Sequence, residues 1–190
     1  MSYFLKVTEP ENASGQLQKS YEMLHTMFQT VPKVFVAQSI RPDLLEPIVQ
    51  YVNRLMIETH ALPRSTKELI AAYVSDLNAC AFCVDAHSAM AMAQGFTQEE
   101  VQSIIEDIDG SSLIDEKTKL ILHFSETITR NSYKIHEGNL QDLRDQGCTD
   151  EELFEAIAVA SLFNYMDRMA DALGAPVEGF QEMMKQLNDT

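Results

Sequence analysis

Tryptophan is absent from the 190 residues, and glycine and proline number only seven and six. That is roughly half the usual share of the two main turn-forming residues, which argues against a turn-rich all-β chain. Basic residues are scarce as well: 14 Lys and Arg stand against 29 Asp and Glu, a formal net charge of −15. A surface that negative repels nucleic acid and anionic membranes, so neither is an expected partner. Long apolar runs are missing; the longest are six residues, 69–74 and 79–84, against about 20 for a bilayer span. The opening residues run into polar Thr8, Glu9, Glu11 and Asn12, without the apolar region of a signal peptide. The expectation is a soluble, cytoplasmic protein. Cysteine is also sparse, at three, so one is left over from any pairing and a disulfide framework is excluded. Two of the three lie close together, which suggests a reducing compartment and a thiol used for chemistry.

What is present reads as globular: 45% hydrophobic and 23% charged residues, in a length that fits one domain over 1–190. All six prolines lie at 10, 32, 42, 47, 63 and 176, so 64–175 has none. A long proline-free stretch with apolar residues three and four apart predicts packed helices. Gly95, Gly110, Gly147 and Gly174 fall where periodic patterns stop, as C-cap glycines do. The pattern predicts helices at 14–29, 42–59, 65–76, about 80–94, 97–108, 115–130, 139–146, 149–173 and 176–187. Only 33–37 resembles a strand, and one strand cannot make a sheet. The expected architecture is an all-α bundle, with N-terminal helices in 1–60, a central group in 65–108 and C-terminal helices in 112–190. Two segments echo each other, Gly95 to Val101 and Gly147 to Leu153; each has Gly as cap, Thr as N-cap and Glu at N3. That is capping-box punctuation first. It also fits an old helical-hairpin duplication relating 65–108 to 115–173.

The chemistry concentrates between Glu68 and His87. Cys80 and Cys83 form a Cys-x-x-Cys pair, and His87 follows Cys83 by four residues. On a helix Cys83 and His87 then share a face, and Cys80 is near enough to reach Cys83 across one turn. Ser75, Asp76 and Asn78 are residues that end one helix and cap the next, which puts Cys80 near a helix N-terminus. There the dipole and a neighbouring imidazolium favour a thiolate, so Cys83 is expected below the usual thiol value of about 8.5. Cys83 reads as nucleophile and Cys80 as resolving thiol. Glu68, folding back from the preceding helix, reads as the carboxylate that orients His87.

Glu68, eleven residues, Cys80, two residues, Cys83, three residues and His87 reproduce the signature of the alkyl hydroperoxidase D-like proteins, within the carboxymuconolactone decarboxylase superfamily. At this composition the pattern arises by chance in roughly one chain in ten thousand. Residues 112–175, including Phe163-Asn164-Tyr165-Met166-Asp167-Arg168, resemble the tail of the peroxidase-related branch; Val31-Pro32 and Arg41 to Leu45 resemble its start. The resemblance implies a helical fold, a homo-oligomer (trimer or hexamer) and a thiol-dependent peroxidase or disulfide oxidoreductase without a cofactor. In that scheme Cys83 attacks a hydroperoxide, Cys80 closes a disulfide, and His87 and Glu68 relay protons. An external dithiol, a lipoyl protein or a thioredoxin-like partner, restores the thiols. The decarboxylase branch lacks the paired cysteines, so lactone decarboxylation is not implied.

The competing reading is a non-enzymatic helical protein that uses Cys80, Cys83, His87 and Glu68 as a structural zinc site. Their types suit zinc, but such a site usually brings a second Cys or His pair, and this chain has none. A thioredoxin fold is excluded by the lack of a βαβ pattern. Cys148 reads as a small buried residue, and His25, His60, His123 and His136 as ordinary surface or core histidines. Tyr73 reads as core, Asp85 as solvated, and the ten methionines as packing residues.

Overall fold

Helix α4 (Arg64–Leu77) is the axis of the molecule: the ten consecutive residues Thr66 to Ser75 are all buried. The computed structural model describes residues 3–58 and 61–188, with side chains through residue 185. Around α4 the chain is arranged as α1 (Gly15–Phe28), α2 (Lys33–Val36), α3 (Pro42–Val52), α5 (Ala81–Met92), α6 (Gln98–Glu106), α7 (Glu116–Asn131), α8 (Glu137–Asp145), α9 (Asp150–Leu173) and α10 (Phe180–Asn188). No strand occurs among the described residues, which bears out the all-α expectation. Helix α4 packs most extensively on α5, then on α9 and α7. A helix enclosed on every side is normally apolar all round. This one carries Lys67, Glu68 and Ser75 inside, and each has a partner.

Lys67 shows how such a group is tolerated. Its Nζ lies 3.0 Å from Glu155 Oε2 and donates to the Leu55 carbonyl at 2.9 Å. Leu55 belongs to a π-turn (Asn53–Ile57) that ends α3, and the Glu155 carboxylate also accepts from the Ala61 and Leu62 amides. One buried ion pair therefore ties α9, α4 and both sides of the α3–α4 connection together. Breaking such a pair strands a charge in the interior.

Most predicted helix limits fall within two residues of those found. Both capping boxes form: Thr97 Oγ1 accepts from Glu100 N, Thr149 Oγ1 from Glu152 N, and each glutamate returns the bond to its threonine's amide. The end of the second predicted helix at Thr59, and His60, lie outside the described residues. Four expectations need correction. Segment 33–37 is a helical turn rather than a strand; Val34, Phe35 and Val36 are all buried, and their amides and their neighbours' close turns such as Phe35 N to Pro32 O at 2.9 Å. A short apolar run fits either state, and a lone strand would leave its amides unpaired. Gly110 is not a left-handed cap. Its amide donates to Asp107 Oδ1 at 2.9 Å, and a Cβ there would stand 2.1 Å from Oδ2. Helix α10 starts at Phe180, not at 176, because its first amides are capped from another helix: Asp85 on α5 accepts from Phe180 and Gln181 at 2.8 and 3.1 Å. Asp85 is therefore buried, not solvated.

Candidate active site

The thiols stand at the elbow between α4 and α5. Helix α4 closes with Ala79 N–H on the Asp76 carbonyl and Cys80 N–H on the Ser75 carbonyl, at 2.9 and 3.0 Å. This is the Schellman pattern, which needs a left-handed residue at its centre. Ala79 takes that place with φ 57°, where glycine is usual and an L side chain is strained by about 1–2 kcal/mol. The sharp reversal makes Cys80 the N-cap of α5 and puts Cys83 in its first turn. Both are free thiols, 0% and 2% exposed. Alanines and serine on α5 (Ala86, Ser88, Ala89, Ala91) keep it close to the core.

Two polar groups meet the elbow. In the first, Cys80 Sγ, Cys83 Sγ and a carboxylate oxygen of Asp167 on α9 lie within 4.8 Å of one another. Asp167 is 1% exposed; its Oδ1 accepts from Ser75 Oγ at 2.9 Å and its Oδ2 from Asn78 Nδ2 at 2.7 Å. Asn164, one turn earlier on α9, accepts from the same Asn78 amide and donates to Thr129 Oγ1. Burial raises the Asp167 carboxyl, against hydrogen bonds from Asn78, Cys83 and Ser75.

The second group joins α4 to α5 by charge. Glu68 Oε2 stands 2.7 Å from His87 Nδ1, and Glu68 Oε1 accepts from Arg64 Nε. Burial pushes the Glu68 carboxyl up, but the hydrogen bond and charge of His87 and the charge of Arg64 outweigh it and hold it below the usual range. The His87 side chain is 18% exposed, and its ring meets Phe163 edge-on with centroids 4.2 Å apart. Phe163 and Asp167 are one turn apart on α9, so that helix borders both groups.

The electrostatics correct the sequence reading at one point. Cys83 is raised, not lowered: the hydrogen bond with Cys80 acts first, then burial, then the Asp167 charge. The dipole of α5 is too weak an effect to overcome a second thiol and a carboxylate in the same dry space. The four-residue zinc cluster is not assembled either. Among the described residues, Cys80, Cys83 and Asp167 form the group of three converging donor atoms, and Glu68 and His87 do not join it. Glu68 is instead occupied by Arg64 and His87.

The comparisons with known proteins agree with this architecture. The model of the carboxymuconolactone decarboxylase family matches residues 42–109, which hold α3 to α6 and both thiols. The chain superimposes over 96% of its length on an uncharacterized peroxidase-related protein with an alkylhydroperoxidase AhpD core from Ralstonia eutropha JMP134, with TM-score 0.83, 23% identity and 96% of that chain covered. Over residues 42–109 the chain is therefore similar to the carboxymuconolactone decarboxylase family, and its fold is that of the peroxidase-related proteins with an AhpD core. Its fold is also similar to that of the debrominase Bmp8 in complex with 2,3,4-tribromopyrrole, with TM-score 0.81, 16% identity and 98% of each chain covered. In sequence it is 26% identical over 114 residues to the uncharacterized protein YdfG of Bacillus subtilis (strain 168), covering 60% of this chain and 77% of that protein.

Within this fold, the remaining candidates fall where ordinary packing puts them. Cys148 is buried and its thiol is raised by that burial. Tyr73 is buried and donates to Glu126 at 3.0 Å. His123 pairs with Asp109, His136 caps α8, and His25 is exposed in the last turn of α1. Met56, Met92 and Met166 are core residues, whereas Met183 is exposed. Two residues of the site escaped the sequence reading. Arg64 stands four residues before Glu68, a spacing that signals an ion pair. Asp167 interrupts the apolar stripe Val159, Ala160, Phe163, Ala170 of α9, and an acid on a buried stripe marks a group with a partner. A cleft of about 240 Å³ opens beside Arg64, lined by Met56, Leu62, Pro63 and Lys67; neither sulfur lines it.

Proposed function

We propose that the chain reduces hydroperoxides by oxidising the Cys80–Cys83 dithiol to a disulfide. The observation that carries this reading is the pair of free thiols within 4.8 Å of each other at the start of α5, with the Glu68–His87 pair on the same two helices. Cys83 gives up its proton and attacks the peroxide. An S–O bond forms, the O–O bond breaks, and the alkoxide takes a proton and leaves as alcohol. Cys80 then attacks the sulfenic sulfur; the S–S bond forms and water leaves. Two electrons have passed from the thiols to the peroxide, and an external dithiol (lipoyl or thioredoxin-like) returns them by exchange. Because Cys83 is raised, it is held as a thiol at rest. His87, oriented by Glu68, serves to take the proton during attack rather than to store a thiolate beforehand.

The test is peroxide consumption by the full chain with a panel of dithiol donors, beside Cys83→Ser. Turnover that depends on Cys83 supports the reading; equal turnover by the variant, or none with any peroxide and donor, ends it. The tribromopyrrole complex of the similar debrominase fold supports including that compound in the panel. Thiol-dependent loss of bromide without peroxide turnover would favour reductive debromination, in which the same two thiol electrons replace bromine by hydrogen. The reading includes a cytoplasmic homo-oligomer, trimer or hexamer. Exposed Phe154 and Tyr133 support an interface between copies, and sedimentation showing only monomer at micromolar concentration contradicts the oligomer.

A further inference from the structure

We propose that Asp167 is the buried base of the second half-reaction, the group that takes the proton from Cys80 as the disulfide closes. The proposal rests on the dithiol reading above and fills a step it leaves unserved. His87 lies one turn beyond Cys83 on α5 and serves that thiol; Cys80, the N-cap of α5, is fully buried, cut off from water as an acceptor, and has an Asp167 oxygen within 4.8 Å of its sulfur.

The surroundings of Asp167 are those of a proton acceptor. From α4, Ser75 and Asn78 each donate one hydrogen bond to it and fix its plane. From α5 it accepts a hydrogen bond from Cys83 at rest and stands within 4.8 Å of the Cys80 sulfur, with the charge of His87 also bearing on it. On α9 its neighbour Asn164 is engaged with Asn78 and Thr129. Every polar group it meets therefore either holds it in place or carries a proton that the chemistry must move. A carboxylate in the core without a salt-bridge partner opposes stability, and this one stands on α9 among apolar Val159, Phe163 and Ala170. The step balances. The Cys80 proton passes to an Asp167 oxygen, the Cys80 sulfur bonds to the Cys83 sulfur, and the S–O bond of the sulfenic acid breaks. The departing hydroxide takes the proton back from Asp167 and leaves as water, so the carboxylate is regenerated.

The test follows the two steps separately in single turnovers of the full chain, with hydrogen peroxide and, in a second arm, with 4,4′-dithiodipyridine. The second reagent makes a mixed disulfide at Cys83 that Cys80 displaces, so it needs no peroxidase activity. In Asp167→Asn the first phase is expected to be no slower than in wild type. The second phase is expected to be about 100-fold slower in both arms. Its rate should climb about tenfold per pH unit, because Cys80 must then ionise to bulk water before it can attack. Wild type, with its base inside, should change less than about threefold between pH 7 and 9. A variant whose second phase matches wild type in rate and pH dependence overturns the proposal. So does a wild-type second phase that itself rises tenfold per pH unit, a result that does not require the variant to fold. Wild type inert to peroxide, with Asp167→Asn still slow in the dithiodipyridine arm, removes the peroxidase reading and leaves the role of Asp167 standing.

Discussion

His87 Nδ1 lies 2.7 Å from an oxygen of Glu68, a carboxylate that has no exposed surface. An ionised carboxylate only accepts, so the hydrogen sits on Nδ1 and Nε2 is left as the atom that exchanges protons. The second Glu68 oxygen is taken by Arg64. Two helices are thus joined by a charge with no third place to go.

Replacing Glu68 by Gln is expected to remove about 3 kcal/mol at pH 7, the low end for breaking a buried pair, because Arg64 and His87 keep some contact with water. The Glu68 carboxyl is lowered in the fold, so its contribution is present above the unfolded value of about 4.3 and fades as pH falls through the lower folded one. Urea melts from pH 7 to 3 should show the gap between wild type and Glu68→Gln closing. Parallel curves over that range would contradict the assignment.

Cys83 should alkylate with a midpoint above 8.5, the value of a free thiol, since Cys80, burial and Asp167 all raise it. Removing the first cause in Cys80→Ala should move the midpoint down. Iodoacetamide rates against pH, read by peptide mass, decide this; a wild-type midpoint under 8.5 would restore the thiolate picture.

Ala79→Gly is expected to stabilise the fold by about 0.5–1 kcal/mol. Relief of the left-handed strain at φ 57° exceeds the entropy that glycine adds to the unfolded chain. Its methyl is exposed, so no core contact is lost. Calorimetry should show a Tm rise of about 1–4 °C; an unchanged or lower Tm would mean that the elbow is not strained.

Asp85→Ala should uncap α10 at a cost of about 1 kcal/mol. Amide exchange at Phe180 and Gln181, which now donate to Asp85, should quicken while α4 is unaffected. Uniform protection in both proteins would rule out the capping role.

The legible parts of the sequence were the local ones. Thr97 with Glu100 and Thr149 with Glu152 announce helix starts because a capping box is complete within four residues. The interval from Glu68 to His87 spans a single helix–turn–helix unit, so spacing alone predicted which residues could meet. Asp167 was not legible in that way, since it reaches the thiols only when α9 packs against the elbow, and helix periodicity does not say what stands opposite a face. The same gap hid the partner of Asp85, whose amides belong to a helix almost a hundred residues on. It also reversed the expected shift at Cys83, because the motif shows the helix N-terminus but not the burial and the acid that outweigh it.

The depth of the sulfurs has a kinetic consequence. With Cys80 and Cys83 at 0% and 2% exposure, an oxidant is expected to reach them through a local opening of the kind measured by hydrogen exchange. When oxidant is abundant, reaction outruns reclosing and the observed rate becomes the opening rate itself. Oxidation then levels off with concentration although no Michaelis complex has formed. On the proposed peroxidase reading, peroxides of very different intrinsic reactivity should share that plateau.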